Sequence, residues 1–93
     1  VNNINSKMLV VGMKQTLSQI KNGNAAAVFI AQDADESLIT KIKTECENSD
    51  IEIRYAISMK LLGKACAISR PAACAAILKK EIKKGGEESN AND

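Results

Sequence analysis

Strand-type and helix-type segments alternate along this chain with short connections between them, and that alternation predicts an α/β fold, a three-layer α/β/α sandwich. Two further observations point the same way. The run Ala25 to Ala31 (AAAVFIA) is apolar without interruption over the length of a strand, which suits a strand covered on both faces. At 93 residues, with 45% apolar and 26% charged side chains, the chain supplies one core and stays clear of the composition that keeps chains unfolded.

The elements follow in order. Met8 to Val11 reads as a short strand ending at Gly12. Helical spacing then sets in, with Met13, Leu17 and Ile20 on one stripe and Lys14, Ser18 and Lys21 on another, so a helix begins near Gly12. Asn22-Gly23-Asn24 ends it, because Gly and Asn tolerate the left-handed conformation that closes a helix. After the strand at 25–31, Gln32 to Ser37 forms a loop and helix start, its carboxylates gathered where the helix dipole is positive. Leu38, Ile42 and Cys46 recur every four residues and carry that helix to about Glu47, with closure at Asn48-Ser49-Asp50. Ile51, Ile53 and Tyr55 alternate with Glu52 and Arg54 as in a strand, and Ser58 reads as the N-cap of a helix with Leu62 and Cys66 on its apolar side.

From Pro71 to Lys84 two readings stand. Ala-rich composition, a Pro at the first turn and Gly85 at the stop favour a helix on propensity. Residues 73 to 78 (ACAAIL) equally suit an interior strand where close helix packing demands small side chains. Residues 85–93 (GGEESNAND) read as a polar, disordered tail, so one domain is expected over 1–84.

Composition excludes several functions. There is no His and no Trp, and Tyr55 and Phe29 are the only aromatics, which removes histidine catalysis, histidine metal ligation and wide aromatic stacking platforms. Cys46, Cys66 and Cys74 form no C-x-x-C pair and read as buried small hydrophobes in a reducing compartment. Without a histidine to form the thiolate, a cysteine nucleophile is disfavoured, and neither a cofactor nor a metal is expected. No apolar stretch approaches the roughly 18 residues that a membrane span needs, and Val1 to Ser6 is unlike a signal peptide, so a cytoplasmic protein without membrane contact is expected.

Charge is segregated. Residues 1–32 carry three lysines and no acid, residues 33–52 hold seven acids against two lysines, and residues 53–80 carry six cations and no acid. If folding joins the two basic blocks, they make a positive face of the kind that attracts phosphate.

Three segments carry candidate chemistry. In Gly12-Met13-Lys14-Gln15-Thr16 a glycine opens a helix and a cation and an amide follow; the unpaired N–H groups of a helix start attract phosphate, while lysine and amide can donate to O6 and N7 of guanine. In Leu62 to Pro71 a helix end meets a loop in which Ile68 can press on an unstacked base, with Ser69 beside it, and Arg70 can reach phosphate or base. Asp33-Ala34-Asp35, taken alone, reads as a helix cap.

In this order and spacing the segments resemble the L-seven-Ae type family of ribosomal proteins and relatives that bind kink-turn RNA. The likeness covers about Met8 to Lys80 and rests on G-x-K-Q-T at 12–16, I-A-x-D-A-D at 30–35 and S-M-K-x-L-G-K-A-C-x-I at 58–68. Lys14 and Gln15 resemble the bacterial ribosomal-protein-like branch, whereas Ser69-Arg70-Pro71 resembles the spliceosomal relative. Where family members usually have Gly and Lys, this chain has Ala67 and Ser18; Met13 and Met59 also depart from common residues.

The resemblance implies a mixed four-stranded sheet in the sandwich, and hence a strand at 73–79. It also implies a non-enzymatic protein that binds structured RNA containing a kink-turn, ribosomal or regulatory, as a monomer without DNA specificity. A kink-turn is a duplex bent at a bulge beside tandem sheared G·A pairs, a bend that bares guanine edges hidden in regular A-form RNA. By position, Gly12 would admit close backbone approach beside Met13, Lys14 and Gln15 would contact the guanines, Asp35 and Ile39 would meet an extruded bulge nucleotide, and Ile68, Ser69 and Arg70 would cover the other bulge bases. The alternative, known among stress-response relatives of the fold, is a protein-interaction module using the acidic segment 33–52.

Overall fold

The computed structural model describes residues 8–80, arranged as β1 (Leu9–Val11), α1 (Met13–Lys21), β2 (Ala25–Ala31), α2 (Glu36–Asn48), β3 (Glu52–Ala56), α3 (Met59–Ala65) and β4 (Cys74–Leu78). The expected tail at 85–93 lies outside the described residues. The sheet order is β1-β4-β2-β3; β2 pairs with β3 in parallel, and β4 runs antiparallel to both β1 and β2. The sheet is therefore mixed and four-stranded, as the resemblance implied.

Burial explains why each run adopted its element. β2 and β4 are the interior strands, and each is continuously apolar because it is covered on both faces. On one face Ile20 of α1 and Ile42 and Cys46 of α2 pack on Val28, Ile30, Cys74 and Ala76. On the other, Leu62 of α3 packs with Ala31 and Ala72, flanked by half-buried Phe29. Helices on both sides make the three layers. The ambiguous stretch after Pro71 is a strand: Ala75 and Ala76 are fully buried between β1 and β2, so strand pairing and close packing override the helical propensity of alanine.

Three side chains depart from the sequence pattern. Thr16 stands on the apolar face of α1, three residues after Met13 and four before Ile20, and is fully buried against the sheet although it carries a hydroxyl, while Tyr55 is 47% exposed because β3 is an edge strand. Cys66 is half-buried rather than buried: it lines an apolar hollow of about 330 Å³ beside Leu9, Phe29 and Leu61, whereas Cys46 and Cys74 are buried as expected.

All three helices stop in the same way. Past α1, Gly23 N donates to the Ile20 carbonyl and Asn24 N to Gln19; past α2, Asp50 N donates to Glu47 and Ile51 N to Cys46; past α3, Ala67 N donates to Lys64 and Ile68 N to Gly63. Each pair closes over a residue with left-handed backbone, with φ 74° at Gly23, 56° at Asp50 and 62° at Ala67.

Candidate nucleic-acid interface

Because β1, β2 and β3 run one way and β4 the other, the carboxyl ends of three strands and the amino end of β4 share one end of the sheet. Gly12 follows β1, residues 32–35 follow β2, the start of α3 follows β3, and residues 66–73 lead into β4. Hydrogen bonds join these segments. Gly12 N donates to the Cys74 carbonyl, Ala31 N to Ala73 and Gln32 N to Ala56, each at 2.9 Å, and Ala72 N donates to Met59 at 3.0 Å. The three segments singled out in the sequence are thus neighbours at one end of the molecule.

Gly12 has φ 101° and ψ 160°, a conformation that glycine adopts and L residues avoid. It opens α1 with no side-chain cap and no acid in the first turn. The other two helices are capped: Asp35 Oδ1 accepts from Ser37 N at 3.2 Å, and Ser58 Oγ accepts from Leu61 N at 3.1 Å. The first-turn amides of α1 therefore present an uncompensated partial positive charge. Met13 and Thr16 point into the protein, whereas Lys14 and Gln15 are exposed beside that turn.

Asp35 is exposed at the start of α2, and its cap bond is the role the sequence alone suggested. Ile39, one turn later, is half-buried between the two core clusters. In the loop after α3, Ile68 packs partly against the cluster of Leu62 and Ala72, while Ser69 and Arg70 are exposed. This loop lies directly on its own helix, because a Cβ at Gly63 would fall on the Arg70 carbonyl oxygen and within 3.2 Å of Pro71 Cα. Sequence reasoning assigned nothing to Gly63, although its place between Leu62 and Lys64 in a short helix is where close approach asks for glycine. It also missed Asp33, whose Oδ1 accepts from Met59 N at 2.8 Å across 26 positions of sequence, a contact without a local signal.

The basic blocks do not merge into one face. Lys14, Lys60 and Arg70 are exposed on the segments of the shared end, with Lys64 one turn along α3. Lys21, Lys79 and Lys80 lie at the opposite end, where the Asn24 carbonyl accepts from Lys79 N at 2.8 Å and Asn24 Oδ1 from Lys80 N at 3.1 Å. Arg54 pairs with Glu52 at 2.8 Å on β3.

The thiols sit in the opposite condition from a reactive cysteine. Burial pushes Cys46 from its ordinary value of 9.0 up to about 11, with nearby Cys74, Glu45 and Glu47 adding to the rise. Burial raises Cys66 and Cys74 as well. Thr16 Oγ1 makes no hydrogen bond of ordinary geometry among the described residues; the Cys74 thiol is its neighbour, and that contact works against the rise imposed by burial.

Comparison with known proteins shows the family. The chain is 49% identical over 67 residues to an RNA-binding protein of Caldanaerobacter subterraneus, covering 72% of this chain and 82% of that one. It is 41% identical over 71 residues to the RNA-binding protein YbxF of Geobacillus stearothermophilus, covering 76% and 87%. Among solved structures, the 15.5 kD RNA binding protein of Giardia lamblia superimposes with a TM-score of 0.74 at 31% identity, over 80% of this chain and 62% of that longer one. The model of the ribosomal protein L7Ae/L30e/S12e/Gadd45 family matches residues 2–85. With that match over most of its length, and with the sheet, helices and loops arranged as described, the chain belongs to the ribosomal protein L7Ae/L30e/S12e/Gadd45 family.

Proposed function

We propose that this chain is a non-enzymatic RNA-binding protein that recognises kink-turns. One observation carries the reading: in a family whose similar members are named RNA-binding proteins, α1 opens at an uncapped glycine and exposes Lys14 and Gln15 beside its free amides. Amides and dipole attract a phosphate, while the ammonium and carboxamide reach guanine O6 and N7 where the sheared G·A pairs lay those edges open. Gly12 admits the RNA closely, since beyond its two chain neighbours no protein atom lies within 4 Å of where its Cβ would stand. Asp35 and Ile39 then meet one bulge nucleotide, Ile68 packs on another, and Ser69 and Arg70 hold the adjoining backbone.

The protein acts as a cytoplasmic, ribosome-associated monomer on structured RNA, without DNA specificity. No helix among the described residues is long and apolar enough to cross a membrane. The test is an electrophoretic shift at one stated salt concentration, comparing a kink-turn RNA with the same RNA after its G·A pairs become Watson–Crick pairs, and with a DNA duplex of matching sequence. Binding confined to the intact kink-turn is the expected result. Equal affinity for all three would overturn the proposal.

A further inference from the structure

The loop that carries Asp35 and the loop that carries Ile68, Ser69 and Arg70 are joined through one residue. The N–H of Met59, the first residue of α3, donates to Asp33 Oδ1 at 2.8 Å, and the carbonyl of the same residue accepts from Ala72 N at 3.0 Å. Asp33 stands two positions before Asp35, and Ala72 two positions after Arg70. A connected path therefore crosses the interface from one loop to the other.

Three features mark the Asp33 bond as a spacer rather than a spare cap. First, α3 already has a local cap, since Ser58 Oγ accepts from Leu61 N at 3.1 Å. Second, both ends of the path are held. Gln32 N donates to Ala56 at 2.9 Å and Ala34 N to Ala31 at 3.1 Å on one side, and on the other the loop rests against Gly63. Third, an aspartate acceptor makes a charge-assisted bond, shorter and stronger than a neutral one, so it resists stretching.

We propose that Asp33 is a positioning residue of the RNA interface: through Met59 it fixes the spacing between the Asp35–Ile39 contact and the Ile68–Arg70 contact, and so matches the protein to a bulge of one length. This rests on the kink-turn reading and deepens it. Asp33 acts through Met59, whose N–H it holds.

The experiment uses the full chain in four forms, wild type, Asp33→Ala, Asp33→Asn and Ser58→Ala, each checked for folding by circular dichroism. Each is titrated with a kink-turn RNA, with the same RNA lacking one bulge nucleotide, and with the same RNA carrying Watson–Crick pairs in place of its G·A pairs. Asp33→Ala is expected to weaken kink-turn binding about tenfold and to flatten the preference for the intact bulge. Ser58→Ala removes the other α3 cap and should stay within about twofold of wild type with its preference kept, because its bond lies within one segment. Asp33→Asn keeps the Oδ1 acceptor without its charge and should recover most of the affinity and preference that Asp33→Ala loses. Asp33→Ala behaving like Ser58→Ala would overturn the inference, as would failure of Asp33→Asn to rescue. If Asp33→Ala does not fold, Met59→Pro takes its place, because it deletes the donated N–H at the first position of α3, where proline is tolerated: a flattened preference supports the spacer, and wild-type preference ends it. A wild type that discriminates neither bulge length nor G·A pairs removes the kink-turn reading and this inference together, whereas wild-type discrimination that Asp33→Ala leaves intact removes only the inference.

Discussion

Beyond its two chain neighbours, alanine at position 12 would meet no atom within 4 Å, so the penalty of Gly12→Ala is conformational, about 1–3 kcal/mol for an L residue held at φ 101°, ψ 160°. Urea unfolding should register that loss. Lys14→Ala and Gln15→Ala are the converse, because both side chains are exposed and make no hydrogen bond within the described residues. Each should leave the unfolding midpoint unchanged while weakening kink-turn affinity by about 1–3 kcal/mol in a salt-matched titration. The glycine, lysine and glutamine were legible because a helix start writes a local pattern. Thr16 was passed over because it carries a hydroxyl, although its register between Met13 and Ile20 is the one that faces the sheet. Asp33 was misleading in a different way: it reads as a cap for the helix that follows, yet it serves the helix 26 positions away.

Helix ends supply a matched pair of predictions. The left-handed position after α1 is Gly23, whereas after α3 it is Ala67, which lacks glycine's freedom at φ 62°. Ala67→Gly should therefore raise stability by about 0.5–1 kcal/mol, the relief of left-handed strain less the entropy that glycine loses on folding. Gly23→Ala should lower stability by a similar amount. Opposite shifts of the urea midpoint are expected, and equal signs would contradict the account of the helix stops. The stop at Asn22-Gly23-Asn24 was readable because Gly and Asn announce it; at Ala67 the residue itself announces nothing, the glycine that family members usually carry there was the one hint, and φ 62° with the bonds from Ala67 N and Ile68 N reveals the stop. Gly63→Ala belongs at the same scale. Its Cβ meets backbone rather than a yielding side chain, so overpacking should cost roughly 1–3 kcal/mol and displace Arg70. Stability and kink-turn affinity should fall together, in contrast to Lys14→Ala.

For the whole molecule, strand direction makes the candidate interface: three strand carboxyl ends and one amino end bring sequence-distant segments to one edge. Alternation of elements revealed the layers, and the residue-level resemblance supplied the mixed sheet. Local pattern alone left Pro71 to Lys84 undecided, because alanines suit a helix until neighbouring strands and helices bury them. The division of the basic block between two ends was equally invisible, since it depends on β4 running back across the sheet. The buried thiols give a global pH dependence. Below about pH 9 Cys46 is protonated whether the chain is folded or not, and pH has no leverage through it; between 9 and about 11 the unfolded chain releases the proton first, so stability falls as pH rises. Urea midpoints measured across that window should fall more steeply for wild type than for Cys46→Ala.

Whether the first turn of α1 reads the G·A pairs is decided by a thermodynamic cycle. Wild type and the Lys14→Ala, Gln15→Ala double variant are each titrated at fixed salt with a kink-turn RNA and with its Watson–Crick-paired counterpart. Dependence between the two changes is the predicted result: once the G·A pairs are gone, removing the lysine and glutamine costs little more. If instead the losses simply add, those side chains and those base pairs do not meet, and another surface of the protein holds the RNA.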